Sequence, residues 1–263
     1  MFKVQSPKSE NEETDISRTN TAGTGTQGGG ADLGQTASFG LRVTDLRKSF
    51  QTPNGERVEV LRGASFSAEA GEAIAIMGAS GAGKSTLLQL LGGLEAVDHG
   101  SIVAGEFVID HATSFALAKF RNRQVGFVFQ FHHLLPDLTA VENVSLPLLI
   151  ARMSRREAMH RATEMLAEVG LDRRAANSLV GHLSGGEQQR VAVCRALITN
   201  PALVLADEPT GNLDISTGGE IAQSLVSYAR NKRAVVVIAT HNQALAEICD
   251  RTLSLSNGRL QPT

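Results

Sequence analysis

Tryptophan is absent from the 263-residue sequence, tyrosine occurs once and cysteine twice. Cys194 and Cys249 lie far apart and lack the spacing of metal ligands, which excludes a disulfide framework or a zinc site. They read as small apolar residues of a reducing compartment. Charge of one sign is lacking too: 25 Lys and Arg face 27 Asp and Glu, for a formal net charge of -2. Nucleic-acid binders usually carry a basic patch, so no nucleic-acid partner is expected. No apolar stretch approaches the roughly 18 residues of a membrane span. Ala234–Ala239 is short, and Val144–Ala151 is interrupted by Pro147. The opening Met1-Phe2-Lys3-Val4 lacks the apolar core of a secretory signal, so the expected location is the cytoplasm.

The first part of the chain is poor in apolar residues. From Ser6 to about Ser38 it is dominated by Ser, Thr, Asn, Glu, Gln and Gly, including Gly28-Gly29-Gly30. Such a composition offers too little apolar surface to offset ordering entropy, and a disordered tail is expected over 1–38. One folded domain is expected over 39–263, in a single copy, because none of the motifs below repeats.

Within the folded part, Leu41 and Val43, then Val58, Val60 and Leu61, read as strands flanking a Pro53-Asn54-Gly55 turn. Ala73–Met77 is an apolar run leading into a glycine-rich loop and a leucine-rich helix from Ser85 to about Leu91. Similar runs recur at Val125–Phe129, Leu203–Ala206 and Val235–Ala239, with helical patterns between them. This alternation predicts an α/β fold whose mainly parallel sheet is covered on both faces. Ser154 and Glu157 form a candidate capping box for a helix that ends at Gly170.

Gly78-Ala79-Ser80-Gly81-Ala82-Gly83-Lys84-Ser85 satisfies G-x-x-x-x-G-K-[ST] between a buried strand and a helix start. Glycines there let backbone N–H groups curl around phosphate oxygens at the positive end of the helix dipole. Lys84 is placed to reach the β and γ phosphates, and the Ser85 hydroxyl to bind Mg²⁺. These eight residues, with Thr86 next on the helix, are the candidate ATP contacts.

A carboxylate for the metal and a group to activate water come from Leu203-Val204-Leu205-Ala206-Asp207-Glu208. The buried strand delivers Asp207 to its C-terminal end, where open α/β sheets bind ligands, as a candidate Mg²⁺ ligand. Glu208 is the candidate base or polariser of the attacking water.

Leu183-Ser184-Gly185-Gly186-Glu187-Gln188-Gln189-Arg190 reads as a Ser-capped helix start with two glycines exposing backbone N–H groups, a second anion site in the same chain. This segment resembles the LSGGQ signature of ABC ATPases, and the resemblance extends over nearly all of Leu41–Leu260. It implies the P-loop NTPase fold of that family: a mainly parallel core sheet, an antiparallel β subdomain, and an inserted helical subdomain at about 131–182. It also implies a homodimer in which Ser184, Gly185 and Gly186 of one subunit cover the ATP held by the other's phosphate loop. By the same resemblance Gln130 contacts Mg²⁺ and senses the γ-phosphate, and His241 is the switch histidine on that phosphate. Gly211-Asn212-Leu213-Asp214 crosses the dimer interface, and Phe50 stands where the family often stacks a Tyr on adenine.

A chain without a pore must deliver its work to a partner. The apolar and aromatic residues of Phe131–Val144, beside the expected γ-phosphate sensor, are the segment with which the family grips integral membrane permease subunits. His132-His133 read as surface residues, because adjacent histidines without further ligands make no metal site. QFHHLLPDLTAVENVSLPLLI and LADEPTGNLD are similar to the ATPases of lipoprotein-releasing systems, more so than to those of macrolide export or cell division. What that likeness implies is ATP-driven extraction of lipoproteins from the inner membrane, by a subunit held at the membrane's cytoplasmic face only through its partner. Macrolide-export-type and cell-division-type ATPases stand as the alternative.

Overall fold

In the buried strands, alternate residues feed two different cores. The computed structural model describes residues 39–211 and 213–263; the tail expected over 1–38 and Asn212 of the expected interface loop lie outside the described residues. In chain order the elements are β1 (Leu41–Gln51), β2 (Arg57–Ala68), β3 (Ala73–Met77), α1 (Lys84–Leu91), β4 (His99–Ala104), β5 (Phe107–Val108), α2 (Ser114–Gln124) and β6 (Val125–Val128). Then follow α3 (Ala140–Ile150), α4 (Arg155–Glu168), α5 (Arg173–Ala176), a 3₁₀ turn (Val180–His182), α6 (Gly185–Leu197) and β7 (Leu203–Asp207). The chain closes with α7 (Ile215–Lys232), β8 (Val235–Thr240), α8 (Gln243–Glu247), β9 (Arg251–Ser256) and β10 (Arg259–Pro262).

The larger sheet has the order β10-β9-β3-β8-β7-β6, parallel except for β10 at one edge. Because side chains alternate across a strand, Ile74, Ile76, Leu203, Leu205, Val235 and Val237 pack into a core on one face. Ala73, Val204, Ala206, Val236 and Ile238 pack into a second core on the other. Continuous apolar runs are what a doubly covered parallel sheet requires, and the expected arrangement is borne out. A smaller antiparallel sheet, β2-β1-β4-β5, stands beside it. Its first hairpin closes where Pro53-Asn54-Gly55 signalled a turn, with Gly55 N donating to Thr52 O at 2.9 Å.

Helices α3 to α5 build a third core with one face of α6, from residues such as Val144, Leu166 and Val191. Pro147, which interrupts the hydropathy run, does not end a helix: it sits inside α3 near its C-terminus. The capping box expected at Ser154 forms by half. Ser154 accepts from Glu157 N, but the Glu157 carboxylate turns to Arg161 Nε at 2.8 Å. Complete boxes occur instead at Thr139 with Glu142 and at Ser184 with Glu187.

The loop before α3 hangs on one buried amide. Asn143, fully buried, accepts from Leu135 N at 2.8 Å and donates to the carbonyls of Leu135, Leu138 and Thr139. Asn143→Ala strands these groups without their partner, and is expected to lower stability by about 2–3 kcal/mol. Urea unfolding followed by circular dichroism checks this: the midpoint drops while the slope is unchanged. An unshifted midpoint contradicts the role given to Asn143.

Candidate functional site

β3 ends where the glycine-rich loop begins, and α1 starts at Lys84, one residue ahead of the expected Ser85. Gly83, the residue before α1, has φ 101°, a left-handed conformation that disfavours any side chain. A Cβ there would also lie 2.8 Å from Val60 Cγ1. At Gly78 it would lie 2.6 Å from the Leu255 carbonyl oxygen, so the loop's backbone is pressed against β9. No side chain caps α1, and its first N–H groups are left to a ligand, a ready anion site. Lys84 is buried, with its ammonium donating to the carbonyls of Gly78 at 2.9 Å and Ala79 at 3.2 Å.

Parallel pairing carries the acids to the same place. β7 lies beside β8 with Asp207 opposite Ala239, and Glu208 N donates to Ala239 O at 2.8 Å. Glu208 has φ 46°, a strained conformation for a side-chain-bearing residue. Its Oε1 lies 2.8 Å from His241 Nδ1 and 3.8 Å from Lys84 Nζ. Its Oε2 accepts from Thr240 Oγ1 at 3.2 Å and from His241 N at 3.4 Å. The carboxylate is thus gripped from β8 and aimed at the loop lysine.

Asp207, next to it, lines the same cleft as Ser85. Burial pushes its carboxyl above the ordinary carboxylate value, Glu208 adds to the push, and the Ser85 hydroxyl and the Lys84 charge oppose it. The Ser85 hydroxyl, the Asp207 carboxylate and the Gln130 amide line one cleft and are hard oxygen donors of the type Mg²⁺ takes. The residues fit that ion. Among the described residues no cluster of three or more His, Cys, Asp or Glu offers another metal site.

These groups line one cleft of about 570 Å³ with Phe50, Val60, Ser80, Gly81, Gly83, Ser85, Thr86 and Gln130. Gly78, Ala79 and Ala82 form the loop's turn behind that lining, Ala82 N donating to Ala79 O at 3.1 Å. Phe50 stands at the mouth, 38% exposed, with the buried Lys48 ammonium 5.2 Å from its ring centroid. Ser184, Gly185 and Gly186 are not brought into the cleft. Ser184 caps α6, accepting from Glu187 N while Glu187 Oε2 accepts from Ser184 N at 2.8 Å, and Gly185 is exposed with nothing near its Cβ position. Hydrogen bonds from the Ser184 side chain and backbone hold the Glu187 carboxyl below its ordinary value.

Thr240, which grips Glu208, was missed in the sequence. It is the one polar side chain in β8 and fully buried, a signal that a strand-end hydroxyl has a partner.

The removal of a capping hydroxyl gives a direct test of the Ser184 geometry. Ser184→Ala is expected to lower stability by about 1 kcal/mol, read as a lower melting temperature, with Ser184→Asp restoring it. Equal melting temperatures for all three proteins would contradict the cap.

Comparison with known proteins places these features. A family profile described as ABC transporter matches residues 61–211. The lipoprotein-releasing system ATP-binding protein LolD of Geobacter metallireducens is 50% identical over 221 residues, covering 84% of this chain and 97% of that protein. The protein of the same name from Gluconobacter oxydans is 46% identical over 227 residues, 86% of this chain and 97% of its own. The ATP-binding cassette MJ0796, solved as a dimer in a post-hydrolysis state bound to ADP and Pi, superposes with a TM-score of 0.79 at 37% identity, over 84% of this chain and 96% of that one. A second dimeric structure of MJ0796, titled a bacterial ABC transporter cassette, superposes equally well. A profile matched over more than half of the sequence, and relatives aligned over nearly their whole length, lead to one conclusion: this chain belongs to the ABC transporter family, among its ATP-binding proteins.

Proposed function

We propose that the chain is the ATP-hydrolysing subunit of a lipoprotein-releasing transporter, that it acts as a homodimer, and that permease subunits hold it at the membrane. The observation that carries the chemistry is the Glu208 carboxylate, fixed by His241 and Thr240 and facing the Lys84 ammonium of the glycine-rich loop. The family and its LolD relatives support the transporter assignment.

In this reading residues 39–263 form the nucleotide-binding domain, with 131–182 as its helical subdomain. ATP lays its phosphates along Gly78–Thr86, where backbone N–H groups and Lys84 balance their charge. Phe50 offers a ring face to adenine. Ser85, Asp207 and Gln130 would hold Mg²⁺, which supplies neutralisation of β and γ oxygens. Glu208 accepts the proton of the attacking water as its oxygen bonds to the γ phosphorus and the bond to the β-phosphate oxygen breaks. His241 holds Glu208 in line and faces the γ-phosphate; Thr240 keeps the carboxylate from rotating away.

Ser184, Gly185 and Gly186 lie outside the cleft of their own chain, and the similar cassette MJ0796 is dimeric; both support the reading that they complete the partner's site. No described helix is long and apolar enough to cross a membrane, so attachment falls to the permease. A groove of about 480 Å³ lined by Phe127, Phe129, Leu146, Pro147 and Ile150 supports docking there. Ile150 in its lining is exposed, as are Phe131 and Leu135 of the segment after Gln130, which agrees with a partner-binding face.

Glu208→Gln is expected to bind ATP with near-native affinity, to hydrolyse it about 10²–10⁴-fold more slowly, and to accumulate as a dimer in gel filtration with ATP. Native turnover in this variant overturns the assignment of the base. Thr240→Val removes only the hydroxyl, and about a tenfold loss of kcat with KM unchanged is expected. A change in KM alone would assign Thr240 to binding rather than to orientation. Co-purification of lipoprotein with the chain and its permease tests the cargo, and its absence favours an export-type relative.

A further inference from the structure

His132 and His133 read from the sequence as surface residues, and the chemistry above makes no use of them. Both hold left-handed backbone conformations, with φ 35° and 48°. Two consecutive non-glycine residues in that region persist only where their surroundings hold them. The holder is Arg195. From the last turn of α6, its Nη2 donates to His132 O and its Nη1 to His133 O, each at 2.6 Å. One planar fork therefore spans two successive carbonyls, a separate nitrogen on each.

The same helix touches the site elsewhere. Gln189, buried, donates from its side chain to the carbonyl of Pro209 at 2.7 Å, next to Glu208. Helix α6, whose first turn carries the Ser184 cap, is thus tied at its middle to the segment after Glu208 and at its end to the segment after Gln130.

We propose that Arg195 is a positioning residue for hydrolysis: its fork clamps the His132-His133 turn, and the clamp keeps Gln130, two residues earlier, aimed into the cleft. The proposal rests on the metal-side role given to Gln130 above. Arg195 is not among the residues that line the cleft and acts only through the loop. Without the fork the left-handed turn relaxes, and Gln130 samples positions away from Asp207 and Glu208.

The test uses the full-length chain and a double-mutant cycle of Arg195→Met with Gln130→Ala, with Arg195→Lys alongside. Steady-state ATPase gives kcat and KM, and a trinitrophenyl-ATP titration gives nucleotide affinity. R195M is expected to lose about tenfold or more in kcat with affinity changed less than about twofold. R195K, which keeps the charge but not the planar fork, falls between R195M and the native protein. In the Q130A background R195M is expected to cause no further loss, because there is no glutamine left to position. Additive losses in the cycle, or native kcat in R195M, overturn the clamp. If Q130A alone turns over at the native rate, the role of Gln130 itself fails, a separate result from additivity. Should R195M not fold, R195K and its double variant with Q130A decide the question by the same cycle.

Discussion

The parallel pairing of β7 with β8 is the constraint on which the site depends. With Asp207 set opposite Ala239, the two strands end together, so that an acid from one and a hydroxyl and imidazole from the other meet over the phosphate loop. A shift of one residue in this register would turn every inward side chain of β8 to the opposite core. The two distinct cores on the sheet's faces therefore do more than stabilise it: they keep Glu208 where it faces Lys84. Part of that stability is spent holding Glu208 in a strained backbone conformation, a local cost accepted where a carboxylate must face a ligand.

Much of this was legible beforehand. The runs at Ala73–Met77, Leu203–Ala206 and Val235–Ala239 are apolar at every position, as strands between two cores must be, and each appears as a central strand. The loop from Gly78 to Ser85 was readable because its glycines serve a backbone need and its lysine and serine a chemical one, at fixed spacing. The short edges were not: β5 has two residues and β10 four, too few for a pattern to stand out. Helix α3 was obscured by Pro147, whose lost hydrogen bond is tolerated near the helix end, where a tertiary core pays no regard to propensity.

Polar side chains buried by tertiary structure were the harder part. Thr240 and Arg195 satisfy groups distant in sequence, Arg195 across 63 positions to His132, and Asn143 ties down a loop that lies just before its own helix. Local patterns carry no trace of such partners. His132 and His133 read from sequence as surface residues, and the bonds they make to Arg195 run through their carbonyls, which every residue has, so nothing in their side chains could announce them. The cysteines, by contrast, are the quiet residues they were expected to be. Both are free thiols, and burial pushes Cys194 up to about 12 and Cys249 to about 11, away from reactivity.

The contact between Gly78 and the Leu255 carbonyl has a consequence for how the far end of the chain matters. β9 and β10 hold no chemistry, yet β9 backs the glycine-rich loop, and Gly258 in the turn between them accepts a hydrogen bond from Arg62 N on β2. The final hairpin is a wedge driven between the loop and the antiparallel sheet. The glycine-rich loop thus leans on backbone that follows it by some 180 residues, a support that touches the turn without entering the cleft.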